Sequence, residues 1–590
     1  MDLPNTFEIG NYTECVLTGN QYCKVSAIVK YPEDDLTLIN YVKTIYEDKT
    51  ERDPYIIHRE ICIPNTLFTS QQSVYQFAVN SINEKLKYNV STSEVKKYTC
   101  TNGTYEINTY DRIIMLLIVL YTSLVFISTY FDKYKQNQFK GYPNKFLQHF
   151  SLYRSWKNRT DISKNEDYQK LLSMQGLRVY MMLLVFFLHF TFIYFNISIT
   201  NPDYYREILF TGEWSNYFLA WGTFIVLYFF VISSWLATIQ LYKTFENGGK
   251  LTLRNIVVII VNRYFRFISA AIFISIFISN WKYLLSGPSN FEMLQYSDKS
   301  CQQNLLLNIF FMANFKFWKD ICYPITWSLS ADFQMYIINV IVIYLIFKYK
   351  LNEFKVYFTI LGGFCFIHGF MIYRYDSQVI FNFNARSMNL FDLDDSVHFV
   401  ISYLSTFSTA SSSCIGIILG VIYVKVKNKQ INGNMIYSIL WFLLFLGLPI
   451  FAVVLSTREG TGYVTAIYGA VVRPMYCLGL GIGVLGMALN LGGNFTKIFD
   501  NKYIVFLSNF TFCGYISHYA ILHFLSIHES PTISISYLVT AFVTLTVSSI
   551  IVAILFTLFV EEPLLSLQKA ILPQVRKYAK IQEEMTKKMF

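Results

Sequence analysis

The sequence predicts an all-α polytopic membrane protein with about eleven transmembrane helices and a small external N-terminal domain that contains disulfides. Two features of the composition support this fold class: 53% of the 590 residues are hydrophobic, and only 15% are charged. Soluble domains carry about 25% charged residues, so a chain this long with so few charges cannot cover a soluble surface. The third feature is a series of apolar runs, each long enough to cross a bilayer.

The first 112 residues are polar, carry mixed charges and contain no long apolar run. An even number of cysteines together with clustered glycosylation sequons indicates a lumenal or extracellular domain with disulfides. The alternative is a cytosolic domain with four reduced thiols. The cysteines are Cys15, Cys23, Cys62 and Cys100, whose pairing stays open, and the sequons begin at Asn11, Asn89 and Asn102.

The first ten residues contain neither a basic stretch nor an apolar stretch of the kind that forms a secretory signal. An external domain must nevertheless be translocated. We therefore expect that a segment upstream of Met1 is missing. The alternative is that the first apolar segment acts as a reverse anchor, with Lys133 and Lys135 following it on the cytosolic side.

Eleven apolar segments follow, and each is long enough for a hydrocarbon core of about 30 Å, which takes about 20 helical residues. The predicted spans are 113–131, 178–199, 217–242, 267–284, 327–347, 354–373, 399–424, 435–456, 463–490, 503–527 and 533–560. The first span connects the external domain to a bundle of ten spans. The predicted domains are 1–112 (external), 113–131 (first span), 132–170 (basic cytoplasmic linker), 171–565 (bundle) and 566–590 (basic cytoplasmic tail).

The distribution of basic residues predicts the orientation. With an external N-terminus, the cytosolic connections hold 28 Lys and Arg residues and the outer connections hold 8. Cytosolic loops carry the excess of basic residues, so we expect a cytosolic C-terminus. Glycans are then expected at Asn89 and Asn102 but not at Asn158.

The last residues of the chain bear on which membrane holds the protein. Lys587 and Lys588 are either a dilysine retrieval signal or part of an ordinary basic tail. We therefore expect the membrane of the endoplasmic reticulum or the plasma membrane.

The orientation also sorts the remaining cysteines. Cys301 and Cys322 fall in one outer loop, 21 positions apart, and we predict that they are bonded to each other. The other four lie in spans, where a thiol acts as a small apolar side chain. They are Cys365, Cys414, Cys477 and Cys513.

Two ionisable residues of the second span are candidate functional groups, because a charge inside a span costs roughly 2.5–3.5 kcal/mol. Arg178 opens the span, and His189 follows eleven residues later, about 16 Å deeper by the rise of a helix. Imidazole is suited to accept a proton from a hydroxyl near neutral pH. The alternative is a structural histidine that hydrogen-bonds to a neighbouring helix.

Further ionisable residues lie in later spans. Asp332 and Arg473 each need a partner when buried, and we expect them to pair, directly or through a third group. His518 lies past the middle of its span, and His523 is expected at the outer interface. Cytosolic-boundary residues Arg263 and Arg266 are either positive-inside anchors or ligands for phosphate.

The ordered set of motifs resembles the acyltransferase-3 superfamily, and more closely its animal branch, the nose-resistant-to-fluoxetine family. The bundle motifs are Gly176-Leu177-Arg178 with His189 eleven positions later, FFVISSWL at 229–236, RYFR at 263–266, CYPITWSLSADFQMY at 322–336, Arg473 and YISHYAIL at 515–522. IGNYTEC, QYC and ICIPN resemble the external cysteine domain of that family. Leu227, Ser234 and Ser328 depart from the family pattern.

The resemblance implies a function. An acyl group would pass from cytosolic acyl-CoA, the co-substrate, to a hydroxyl of a membrane lipid, a sterol or a glycan. His189 would be the general base, Arg178 would orient the donor, and Arg263 and Arg266 would hold the CoA phosphates. Asp332, Gln334, Arg473 and His518 would shape the acceptor side. No metal, no permanently bound cofactor and no nucleic-acid partner is expected.

Two other classes of function stay open. The bundle could move lipids or xenobiotics without chemistry, as the association of this family with lipid movement and drug uptake suggests. Alternatively, the external domain could be a binding module that the bundle anchors. Retention of both Arg178 and His189 favours an enzyme over both alternatives.

Overall fold

A computed structural model describes residues 3–572 with several gaps. The gaps are 49–52, 87–89, 103–106, 135–145, 162–165, 195–196, 198, 213, 247–251, 285–290, 318–319, 381–396, 429–434, 459, 461 and 526–530. Among the described residues, ten helices are long and apolar enough to cross a membrane. An eleventh span results if Lys502–Ser508 and Thr511–Leu525, which meet at a bend of 72°, are one broken span. The predicted fold class is confirmed.

The N-terminal domain is built on a four-stranded sheet, which the sequence analysis did not predict. The strands are β1 (Phe7–Glu8), β2 (Gln21–Lys30), β3 (Ile56–Ile63) and β4 (Ser91–Thr101), in the order β1-β3-β2-β4. β1 runs parallel to β3, and the other neighbours are antiparallel. Buried side chains alternate along β2 at Val25, Ala27 and Val29, as expected of a strand with one covered face. The helices α2 (Leu36–Glu47) and α3 (Gln71–Asn83) supply apolar side chains to the same core. The short helix α1 (Tyr12–Leu17) packs separately, with Cys15 against Tyr22.

Two disulfides settle the cysteine pairing of this domain. Cys15 of α1 is bonded to Cys62 of β3, and Cys23 of β2 is bonded to Cys100 of β4. Cys23 and Cys100 are direct cross-strand neighbours in the sheet register. Both bonds therefore connect elements that are distant in sequence, 47 and 77 positions apart.

In the described residues that follow this domain, the regular secondary structure is helical. The first helix of this part is α4 (Thr109–Tyr134), and the linker helices are α5 (Leu152–Thr160) and α6 (Glu166–Lys170). The bundle helices are α7 (Leu172–Ile193), α8 (Pro202–Phe210), α9 (Ser215–Ile225), α10 (Leu227–Glu246), α11 (Leu253–Leu284), α12 (Phe291–Ile309), α13 (Trp327–Tyr349), α14 (Glu353–Arg374), α15 (Thr406–Val426), α16 (Met435–Ser456), α17 (Tyr463–Ala488), α18 (Gly493–Phe499), α19 (Lys502–Ser508), α20 (Thr511–Leu525), α21 (Ile535–Phe556) and α22 (Glu562–Ile571). Two π-helical turns, Val400–Leu404 and Thr557–Glu561, interrupt the regular pattern.

The spans differ in how deeply they are buried. The span that includes α15 is 83% buried, whereas the span of α4 is only 11% buried. Close helix contact at the centre depends on glycine: a Cβ atom at Gly416 of α15 would lie 2.3 Å from the backbone oxygen of Val231 in α10. At the start of α7, a Cβ atom at Gly176 would lie 1.9 Å from the backbone oxygen of Phe499. These contacts fix α7 and α10, which line the site described below.

The linker helix α5 docks on the last helices of the bundle. Arg159 forms salt bridges of 2.7 Å with both Glu561 and Glu562. The amide nitrogen of Asn158 donates to Glu562 at 3.2 Å, and Arg154 binds both carboxylate oxygens of Asp132 at 2.9 Å. The amide that a glycan would modify at Asn158 is therefore engaged in a contact within the protein.

The predicted disulfide between Cys301 and Cys322 is confirmed. It joins α12 to the segment that leads into α13. The remaining cysteines are free, and three of them are buried, as predicted for cysteines in spans: Cys414, Cys477 and Cys513.

Candidate active site

A cavity of about 900 Å³ lies between α7, α10, α11, α13, α20 and α22. At one end it is lined by the exposed Gln240 and Lys569, beside Asp167 of α6. At the other end it is lined by Ser328 and Tyr515. Four of the predicted site residues line this cavity: Arg178, Arg263, Arg266 and Asp332.

Arg178 and Arg266 line the cavity without an acidic partner. Within the described part of the chain, neither of them forms a salt bridge, and the buried Nε of Arg178 has no hydrogen-bond partner. Arg266 is exposed to the cavity. A guanidinium group that faces a cavity without a counter-ion is a site for an anion, because it offers several donors in a planar fork.

Arg263 is held in a different way. Its Nη2 donates to Asp332 at 2.8 Å and to the hydroxyl of Ser233 at 2.5 Å. Its guanidinium carbon lies 4.8 Å from the ring centre of Phe267 and 4.7 Å from that of Tyr336. Arg263 is thus a fixed part of the cavity wall that joins α11 to α10 and α13.

The salt bridge of Asp332 with Arg263 corrects the expectation that Asp332 pairs with Arg473. Arg473 is 1% exposed, and its Nη2 donates to the backbone oxygen of Ser402 in the π-helical turn. Its Nε and Nη1 have no hydrogen-bond partner among the described residues, and Arg473 does not line the cavity. The prediction was wrong because helical rise gives the depth of a residue but not the direction in which its side chain points.

Gln334 also lies away from the cavity, although it is two positions after Asp332. Its amide nitrogen donates to the backbone oxygen of Phe311 and to the side chain of Asn314, both at 2.9 Å. The amide oxygen of Gln334 accepts from Thr406. These contacts tie α13 to the start of α15, so the amide of Gln334 acts here as a structural cross-link.

His189 and His518 form a pair. The Nδ1 of His189 lies 2.7 Å from the Nε2 of His518, and the two ring planes are within 4° of parallel. The ring centres are 5.0 Å apart, much farther than the two nitrogens, so the rings meet edge to edge. His518 is fully buried, whereas His189 is partly exposed.

Tyr515 separates the cavity from the histidine pair. Its hydroxyl lies 2.7 Å from that of Ser328 at the inner end of the cavity, and its ring is centred 5.7 Å from that of His518. His189 itself does not line the cavity. His523, expected at the outer interface, is 1% exposed and packs against Tyr519, which corrects that expectation.

Other polar residues of the site were missed by the sequence analysis. Asp167 binds Lys243 and Lys427 at the exposed end of the cavity, and it accepts from the hydroxyl of Tyr423. Burial raises the pKa of Asp167, but the hydrogen bonds from the two lysines outweigh this effect, and the pKa is lowered overall. The only signal in the sequence was the acidic Glu166-Asp167 pair within a basic linker.

The sequence of the bundle matches a family of membrane proteins. Residues 171–558 match the family described as "Acyltransferase domain", the acyltransferase-3 family. The chain belongs to the acyltransferase-3 family. No curated protein and no solved structure matches the chain.

Membership of the acyltransferase-3 family supports a membrane acyltransferase function for the bundle. The matched range contains the histidine pair and the arginines of the cavity. The N-terminal sheet domain, α4 and α5 lie outside this range, as do Glu561 and Glu562, which α5 contacts.

Proposed function

We propose that this acyltransferase-3 family member is a membrane-embedded O-acyltransferase of the nose-resistant-to-fluoxetine type. It transfers an acyl group from cytosolic acyl-CoA to a hydroxyl of a lipid, a sterol or a glycan. The observation that carries the proposal is the cavity in which Arg178 and Arg266 form no salt bridge with any described residue. Tyr515 alone separates this cavity from the pair of His189 and His518. We expect acyl-CoA to be a co-substrate and not a resident cofactor.

The cavity suits the donor in size and charge. Its volume of about 900 Å³ lies within the range of roughly 300–1,000 Å³ of ligand sites in proteins. Lys243 and Lys569 line it together with the three arginines, whereas Asp167 and Asp332 are the lining acids. Because both acids are already bound to basic residues, the remaining positive charge is available to the phosphates of CoA.

The predicted orientation suits the same cavity. Its exposed end lies at the end of the bundle where α7 begins and α10 ends, which the basic loops predict to be cytosolic. Acyl-CoA therefore reaches the cavity directly from the cytosol. The hydroxyl acceptor approaches from the membrane or from the external side.

In the proposed reaction, the Nε2 of His189 removes the proton of the acceptor hydroxyl. At the same time, the oxygen of that hydroxyl attacks the thioester carbonyl carbon of acyl-CoA. The new C–O ester bond forms, the C–S bond breaks, and the proton passes to the CoA sulfur, which leaves as the free thiol. Tyr515 lies between the cavity and the histidines, so we expect its side chain to move when the thioester binds. Asp332 and Arg263 hold α13 and α11 together in the cavity wall, while Arg473 stabilises the bundle away from the donor.

The test is the release of CoA thiol by purified protein in lipid nanodiscs supplied with acyl-CoA and candidate acceptors. We expect His189→Ala to lower the rate by about 10²–10⁴-fold, the usual contribution of a general base, and to leave acyl-CoA binding largely intact. His149→Ala is the control, because His149 bonds to Ser566 outside the site. Wild-type turnover by a folded His189→Ala variant contradicts the proposal.

Transport is the second candidate function, and one observation favours it. The cavity does not reach His189, as expected of a bundle that holds a ligand without chemistry. Uptake of a fluorescent lipid into liposomes separates the two functions. If neither the wild type nor His189→Ala releases CoA thiol, and both take up the fluorescent lipid at the same rate, the bundle is a transporter.

A further inference from the structure

The hydrogen bonds of the histidine pair determine where its protons lie. A neutral histidine has one ring nitrogen that donates and one that accepts. The Nδ1 of His518 lies 2.6 Å from the backbone oxygen of Tyr515. A backbone oxygen can only accept, so the Nδ1 of His518 carries the proton. The Nε2 of His518 is then an acceptor.

This fixes the partner ring as well. The nitrogen that faces the Nε2 of His518 is the Nδ1 of His189, at 2.7 Å, so it must donate. The remaining nitrogen of His189, Nε2, then carries the free lone pair. Among the described residues it has no hydrogen-bond partner, and the side chain is partly exposed.

We infer that His518 is a positioning residue that holds His189 in the tautomer with a proton on Nδ1 and an accepting Nε2. The inference rests on the proposed role of His189 as the base. It assigns His518 to the base itself and not to the acceptor side, where the family resemblance put it. Partners of this kind orient the imidazole of metal sites and of hydrolase triads.

The packing around the pair keeps this arrangement in place. Phe186 lies against one face of His518, with ring centres 4.7 Å apart and planes within 20°. Tyr519 meets His189 edge-on at 5.9 Å. Because His518 is 0% exposed, solvent does not compete for its two hydrogen bonds. The ring of His518 cannot turn without losing the bond to Tyr515.

Two substitutions separate this role from packing alone. The amide of glutamine reaches the position of the histidine Nε2, so in His518→Gln its oxygen can still accept from His189. The amide of asparagine reaches only the position of Nδ1, so His518→Asn keeps a donor for Tyr515 and leaves the Nδ1 of His189 without its acceptor. We expect His518→Asn to lower kcat by about 10–100-fold, the usual effect of such partners, with the KM for acyl-CoA unchanged. His518→Gln should stay close to the wild type.

A second measurement does not depend on activity. Diethyl pyrocarbonate reacts with the lone pair of a neutral imidazole, and peptide mapping gives the labelling rate of His189. We expect wild-type labelling in His518→Gln and slower labelling in His518→Asn. Equal kcat values and equal labelling rates in the wild type and both variants overturn the inference. If His189→Ala keeps wild-type turnover, the proposed base fails instead, and the labelling rates still decide the tautomer.

Discussion

Two pairs of arginines in this molecule differ in one respect, which is whether a carboxylate binds the guanidinium group. Arg159 and Arg263 each have a carboxylate partner within 2.8 Å. Arg178 and Arg266 have no such partner in the described part of the chain. Among these four arginines, binding to a carboxylate separates the two that join structural elements from the two that we propose bind an anion.

The physical reason is the cost of removing a charge from water. A buried ion pair recovers that cost only when its geometry is good, and losing one partner leaves the other charge uncompensated. Arg159 satisfies two carboxylates that are almost fully buried. An unpaired guanidinium in a cavity keeps its donors for an anion, which then supplies the missing charge.

The largest effect is expected from Arg159→Ala. Burial lowers the pKa of Arg159, but Glu561 and Glu562 outweigh this effect and raise it, so both interactions favour the charged form. Removing the guanidinium leaves the two carboxylates unpaired, which typically costs about 3–5 kcal/mol of stability. We expect a large fall in the thermal unfolding temperature of the purified protein. The control is Lys157→Ala, an exposed residue of the same helix. Equal unfolding temperatures of the two variants would show that the salt bridges of Arg159 with Glu561 and Glu562 do not hold α5 against the bundle.

An intermediate effect, on binding and not on stability, is expected from Arg266→Gln. A hydrogen bond to a charged group is worth about 1.5–3 kcal/mol, so the Kd for acyl-CoA should rise by roughly 10–100-fold. The unfolding temperature without ligand should stay close to that of the wild type, because Arg266 forms no salt bridge among the described residues. Isothermal titration with a non-hydrolysable acyl-CoA measures the affinity. Arg254→Gln, at the exposed start of the same helix, is the control. Unchanged affinity in Arg266→Gln would remove Arg266 from the donor site.

The sequence predicted the membrane-spanning helical architecture and the Cys301–Cys322 bond, because both depend on short stretches of chain. Arg178, Arg263 and Arg266 all line one cavity. The predicted span boundary at residue 267 was wrong, however, because α11 begins at Leu253 and Arg263 and Arg266 lie inside this span. The sequence could not predict how each helix is rotated about its own axis, and therefore which neighbouring helix a side chain faces. Asp332 therefore pairs with Arg263 instead of Arg473.

The same limit applies to the histidine pair. His189 and His518 are 329 positions apart, and no local pattern indicates that their rings meet. The sheet domain was missed for a different reason. The alternation of Val25, Ala27 and Val29 was readable, but a single alternating run does not show which other strands pair with it. Both the histidine pair and the strand pairing of the N-terminal sheet are determined by contacts between residues that are distant in sequence.

The smallest effect is expected from Asp167→Asn, whose lysine partners are partly exposed and therefore screened. The pKa of Asp167 is lowered in the folded protein, so its carboxylate stabilises the fold above its usual pKa of about 3.9. That stabilisation is lost as the pH falls through the lower folded value. Asp167→Asn should therefore unfold at a slightly lower temperature than the wild type at pH 7, and the difference should shrink below about pH 4. Asp161→Asn, an exposed neighbour, is the control. The difference in unfolding temperature between the wild type and Asp167→Asn could instead stay constant down to pH 3. That result would show that the ionised carboxylate does not join α6 to α10 and α15 at the mouth of the cavity.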